Sequence, residues 1–174
     1  IALGLKKALP NCKISGFDLD SNTSDSALEA KAIDNICLSL RHACNNAQIL
    51  IIASNLNSYP LFADVIADSI SEDTIVTDIG SVKQYAVDAF AEIAQQFVPA
   101  HPIAGKETSG FGSATADLFN NKKIIEVYNK IDLLDNSTLE AYKKLFFDKE
   151  TFFLQANKKT TVNELVSFLT SLAV

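Results

Sequence analysis

The stretch QILIIASNLNSYPLFADVIADSISEDTIVTDIGSVK, residues 48–83, decides how the chain is to be read. Two near-continuous apolar runs, QILIIAS (48–54) and TIVTDIG (74–80), flank SYPLFADVIADSI (58–70), whose apolar residues recur at helical spacing. An unbroken apolar strand is the kind that lies buried on both faces of a parallel sheet. Pro60 suits the first turn of the helix between them, where a missing N–H is no loss. Strand, helix and strand in that order form a crossover unit and predict a parallel sheet.

The same alternation continues outward. Upstream, Ile1, Leu3, Leu5 and Leu9 predict a helix stopped at Pro10-Asn11, KISGFDLD (13–20) a strand, and SDSALEAKA (24–32) a helix led by Ser24. Downstream, SVKQYAVDAFAEIAQQ (81–96) predicts a helix whose apolar face is Val82, Ala86, Val87, Phe90 and Ile93. Beyond residue 120, KKIIEVY, STLEAYKKLFF, TFFLQ and TVNELVSFLTSLAV predict strand, helix, strand and helix. The expected fold is α/β, doubly wound around a mainly parallel sheet. Residues 1–155 form a nucleotide-binding domain, and 156–174 form a C-terminal helix at the threshold of a second domain. The glycine fingerprint G-x-G-x-x-G is not found, and it and the first strand are expected upstream of Ile1.

At 174 residues and 48% hydrophobic, the chain has enough apolar content for one substantial core. Its net charge is −6, and its basic runs are pairs such as Lys122-Lys123, which excludes a general nucleic-acid role and favours a small metabolite. Cys12, Cys37 and Cys44 have no zinc spacing and cannot all pair, so they read as reduced packing residues, with no metal. No run approaches membrane-spanning length, and the expected compartment is the cytoplasm.

In an open parallel sheet, ligands bind outside the carboxyl ends of the strands. Asp18, Ser54, Asn55, Asp78, Ser81 and His101 all stand just past predicted strand ends. The first five are the candidate cofactor contacts. An acid such as Asp18 accepts hydrogen bonds from an adenosine ribose and repels a 2′-phosphate, which favours NAD over NADP; Asp20 is its rival. Ser81 either caps the following helix or faces the ligand. His101 precedes Pro102 and is therefore extended, and an imidazole is the natural general base near neutral pH. His42 reads as a surface residue. Lys83, near a helix start, opposes the helix dipole, so it has another reason to be there, such as an anion or a carboxylate.

DIGSVK (78–83) followed by HPIAGKETSGFGSATADLFNNKKII (101–125) resembles the prephenate dehydrogenase family, which includes arogenate and cyclohexadienyl dehydrogenases. The opening IALGLKKALPNCKISGFDLD looks like the helix and second strand of that family, and the resemblance runs over roughly residues 1–127. It implies a Rossmann-type domain, NAD as cofactor, and oxidative decarboxylation of prephenate or arogenate in tyrosine biosynthesis. By the same resemblance His101 accepts the substrate's hydroxyl proton, and Ser81 hydrogen-bonds beside it near the nicotinamide. Asp18 holds the ribose. Lys106, Glu107 and Ser109 lie on the substrate loop, although the family commonly has Thr or Ser at the first of these. The family also carries a helical C-terminal domain that dimerises and supplies an arginine for the substrate's carboxylates. A homodimer through such a region is expected, but nothing after Val127 matches it, and Arg41 is the single arginine. The competing expectation is a nucleotide-binding module without catalysis.

Overall fold

The computed structural model describes residues 1–102, 104, 107, 108, 110–120, 126–128, 135–145, 151–153, 162, 163 and 165–167. Strands and helices alternate from the start: α1 (Ala2–Ala8), β1 (Ser15–Gly16), α2 (Ser21–Glu29), β2 (Asn35–Ile36), α3 (Leu40–Cys44) and β3 (Ile49–Ile52). They are followed by α4 (Tyr59–Ala67), β4 (Ile75–Asp78), α5 (Lys83–Ala89) and β5 (Phe97–Val98). The chain divides into two compact units, Ile1–Asn120 and Asn121–Val174. The second contains β6 (Glu126–Tyr128), α6 (Asn136–Leu145) and β7 (Thr151–Phe153), with β6 and β7 paired in parallel. Of the predicted last helix only residues 162, 163 and 165–167 are described, and they are helical.

Every strand pairing described is parallel, as the crossover pattern requires. In the first unit β4 lies between β3 and β5, with Ile52 opposite Asp78 and Val76 opposite Phe97. β1 and β2 form a separate two-stranded ladder.

Side chains alternate across a strand, so β3, β4 and β5 send Ile52, Val76 and Phe97 to one face. There they join Tyr59, Ile66, Ala86, Phe90 and Ile93 from the helical segments. Phe90 stands between Tyr59 and Phe97, with ring centroids 5.4 and 4.9 Å away and tilted planes, a favoured aromatic geometry. Burying one such ring contributes about 1.5–3 kcal/mol. The opposite face corrects the expectation that β3 is buried on both sides: Ile49 is 61% exposed and Ile75 48%.

Two helix boundaries also differ from their predicted positions. α2 begins at Ser21 because Asp20 caps it, accepting from the Asn22 amide at 3.0 Å; Ser24 lies inside the helix and is buried. The predicted helix over 81–96 ends at Ala89 and continues as a 3-10 turn at Ala91–Ile93. That break keeps Ala86, Phe90 and Ile93 inside while Val82 and Val87 are exposed. Pro60 does stand in the first turn of α4. Cys37 and Cys44 are buried free thiols whose titration burial pushes up, in keeping with packing residues.

Asp34 ties α1 to the entry of β1. Its Oδ2 accepts from Lys6 Nζ at 2.6 Å and from the Ile14 amide at 2.7 Å. These two hydrogen bonds, the lysine's first, hold its carboxyl below the usual Asp range. A depressed native pKa means that the ionised form stabilises the fold. The contribution is complete above the unfolded value of about 3.9 and is lost as pH falls through the native one. Asp34→Asn should lower the melting temperature at pH 7, and the gap to the parent should close on acidification below about pH 4; a gap of constant size from pH 7 to pH 2 would show that the ion pair contributes nothing.

Gly80 closes the turn after β4 where there is no room for a side chain. A Cβ there would lie 2.6 Å from Leu56 Cδ2, 2.8 Å from the Tyr59 hydroxyl and 3.0 Å from Asp78 Oδ2. Gly80→Ala should destabilise the protein by about 1–3 kcal/mol through overpacking, as read from a urea titration; an unchanged midpoint would refute this close fit.

Candidate functional site

The carboxyl ends of β3, β4 and β5 bring together the residues singled out by the sequence. Asp78, the last residue of β4, has no exposed surface. Its Oδ2 accepts from the Tyr59 hydroxyl at 3.0 Å, the Gly80 amide at 2.9 Å and Lys83 Nζ at 2.5 Å. Its Oδ1 accepts from Lys83 Nζ at 2.6 Å and from the Ala100 amide at 3.1 Å. Lys83 also donates to the Ala100 carbonyl at 2.5 Å. A buried carboxylate is tolerated only when paired and fully hydrogen-bonded, and this one is both. Asp78, expected as a cofactor contact, has no exposed surface and spends both carboxylate oxygens on five hydrogen bonds donated within the chain.

The network joins the two loops that carry Ser81 and His101, since Gly80 and Ala100 immediately precede them. Both Ser81 and His101 are exposed. Ser81 is not the helix cap: the N-cap of α5 is Val82, with no side-chain capping bond. Tyr59 meets the same carboxylate from the start of α4. Burial first, then its hydrogen bond to Asp78 and that group's charge, push its phenol up to about 12, so it remains a donor across the physiological range.

The neighbouring strand ends supply further groups. Ser54, past the end of β3, has a buried hydroxyl with no hydrogen-bond partner among the described residues. Asn55 is exposed, and its carbonyl accepts from the Ser58 amide. Past β1, Asp18 is exposed and its Oδ1 accepts from the Asp20 amide at 2.9 Å. Asp20, its rival, is engaged as the α2 cap. Leu19 and Leu38 follow the paired strands β1 and β2 with 84% and 88% of their surface exposed. Glu107 is exposed, while Lys106 and Ser109 lie outside the described residues.

Three further residues of this region carry no distinctive signal in the sequence. Tyr59 looked like an ordinary first-turn residue, because nothing local shows that its hydroxyl reaches a strand 19 residues away. Leu19 and Leu38 carry no pattern that separates them from core leucines. Lys83 did leave a signal: a cation at a helix start needs an anion, and the anion is Asp78. His42 is exposed on α3, its Nδ1 accepting from the Leu38 amide at 3.3 Å. Among the described residues no cluster of His, Cys, Asp and Glu suits a metal, and no helix is long and apolar enough to cross a membrane.

Comparison with known proteins places this geometry in a family. The prephenate dehydrogenase of Bacillus subtilis (strain 168) is 34% identical over 159 residues, 89% of this chain and 42% of that protein. The cyclohexadienyl dehydrogenase of Zymomonas mobilis is 25% identical over 126 residues, 71% of this chain and 43% of that protein. Among solved structures, prephenate dehydrogenase from A. aeolicus in complex with hydroxyphenyl propionate and NAD⁺ aligns with a TM-score of 0.67 at 25% identity, over 88% of this chain and 55% of that one. The chain thus spans less than half the length of these two curated relatives. The family model described as prephenate dehydrogenase, nucleotide-binding domain, matches residues 1–150, and with the parallel strands and the paired Ser81 and His101 loops it shows that this chain belongs to the prephenate dehydrogenase family.

Proposed function

We propose that this chain is the cofactor domain of an NAD-dependent dehydrogenase that oxidises and decarboxylates a cyclohexadienol, prephenate in the first instance and arogenate as the alternative. The observation that carries the reading is the shared carboxylate of Asp78, which holds the Ser81 and His101 loops side by side at the ligand-binding edge of a parallel sheet. The complex of the A. aeolicus relative with hydroxyphenyl propionate and NAD⁺ supports the choice of cofactor and of an aromatic product. We take residues 1–155 as the cofactor domain within this proposal.

The edge suits a dinucleotide. Asp18 offers an exposed carboxylate to the two ribose hydroxyls, Leu19 and Leu38 offer apolar surface to a flat base, and the orphaned Ser54 hydroxyl is a polar atom in need of a partner. NAD⁺ when bound supplies the hydride acceptor. The His101 imidazole, which makes no hydrogen bond among the described residues, accepts the proton of the substrate hydroxyl as the C–H bond of the same carbon breaks with loss of hydride. We assign to Ser81, whose hydroxyl makes no helix-capping bond, a hydrogen bond to the same oxygen. The ring carboxylate then leaves as CO₂ and its bonding pair completes the aromatic ring. Lys106, Glu107 and Ser109 belong in this proposal to the loop lining the substrate. Arg41 pairs with Asp68 at 3.9 Å, so the substrate's carboxylates are assigned to a helical, dimer-forming region of the whole protein.

In the complete protein carrying this chain, His101→Asn should cut kcat for prephenate by about 10²–10⁴-fold while NAD⁺ affinity stays within a factor of about two. Turnover at the parent rate would remove His101 as the base, and absence of NAD⁺ reduction by the parent with either substrate would remove the enzymatic reading. Asp18→Asn should raise the Kd for NAD⁺ by about tenfold, equivalent to about 1.4 kcal/mol, and narrow the preference over NADP⁺. Calorimetric titration checks both, and an unchanged Kd would leave the ribose to another residue.

A further inference from the structure

The donors that make the buried Asp78 carboxylate tolerable are drawn from both loops of the candidate site. Besides Lys83, the carboxylate takes the main-chain amides of Gly80 and Ala100, one on each oxygen, so the donors that satisfy it are fixed points of the two loops. Each of these residues is one peptide ahead of a functional side chain, and consecutive Cα atoms across a trans peptide are held about 3.8 Å apart. The Ala100 residue is held twice, its N–H by Asp78 Oδ1 and its carbonyl by Lys83 Nζ at 2.5 Å. That carbonyl lies in the same rigid peptide plane as the His101 nitrogen. The geometry points to Asp78 as the positioning residue that sets the separation of Ser81 and His101, acting through the main chain without touching substrate or cofactor. Lys83 spans both oxygens and locks the carboxylate in that orientation.

The consequence for turnover rests on the dehydrogenase reading above; the bracing does not. Proton transfer is steeply sensitive to placement, and a displacement of about 1 Å costs about 10²-fold. Asn is the isosteric replacement for Asp78, but its NH₂ opposes donors that now meet an oxygen. In the complete protein, Asp78→Asn should lower kcat by about ten- to a hundredfold, with KM for NAD⁺ within about threefold. It should also speed hydrogen exchange of both the Gly80 and the Ala100 amides. Thr74→Val is the control: Thr74 is buried at the amino end of β4, its Oγ1 donating to the Ala47 carbonyl at 2.8 Å, far along the strand from the site. It should lower the melting temperature and leave kcat at the parent value. If Asp78→Asn turns over like Thr74→Val once both are folded, the positioning role is wrong. If Asp78→Asn does not fold, the parent protein decides: Gly80 and Ala100 amides that exchange at the rate of free loop amides overturn the proposal, and joint protection upholds it. A parent protein without turnover sinks the dehydrogenase reading alone, and the exchange measurements still judge the bracing.

Discussion

A carboxylate taken wholly out of water must be met by donors on every side, and Asp78 meets them by drawing on four separate stretches of chain. Tyr59 comes from the start of α4, Gly80 from the turn after β4, Lys83 from the first turn of α5, and Ala100 from the segment after β5. Losing any one of them would leave a buried lone pair or charge unanswered, at a cost of several kcal/mol for an unpaired ion. The same demand that makes the arrangement costly to disturb makes it unique: the loops have one way to satisfy the carboxylate. Gly80 belongs to this constraint, since a methyl group there would collide with two of the side chains that assemble around it.

Next to this polar cap lies the aromatic core of Tyr59, Phe90 and Phe97, their rings tilted against one another. Tyr59 belongs to both layers, its ring in the apolar core and its hydroxyl on the carboxylate. Packing that sets the height of α4 over the sheet is thereby transmitted to the loops above. In the β1–β2 half a second brace, Asp34 with Lys6 and the Ile14 amide, performs a related task for α1 and the approach to the Asp18 edge.

Family membership and mechanism stand on different footings. The match over residues 1–150 and the similarity to the Bacillus relative establish the first. The second is a proposal that grows from an exposed imidazole and an exposed hydroxyl on loops joined by one carboxylate, together with an exposed acid and two exposed leucines that follow β1 and β2. The exposed Ile49, Ile75 face shows that a strand which reads as fully buried in sequence need not be so within its own compact unit.

The sequence by itself determined the alternation of strands and helices, the parallel pairing, and the strand ends at or past which Asp18, Ser54, Asp78, Ser81 and His101 stand, because periodicity and turn position are local properties of the chain. The motif pair at 78–83 and 101–125 also carried the family. Helix ends were less legible: Asp20 outcompeted Ser24 as a cap, and the helix after Ser81 broke at Phe90 so that Phe90 and Ile93 could both point inward. Only the tertiary structure decided what Asp78 does. Sequence records that an acid ends a strand and that a lysine nearby wants an anion; whether the acid is sealed from solvent and ligand depends also on donors 19 to 22 residues away. Hydrogen bonds across such separations are set by how the helices pack on the sheet, and no local pattern encodes them.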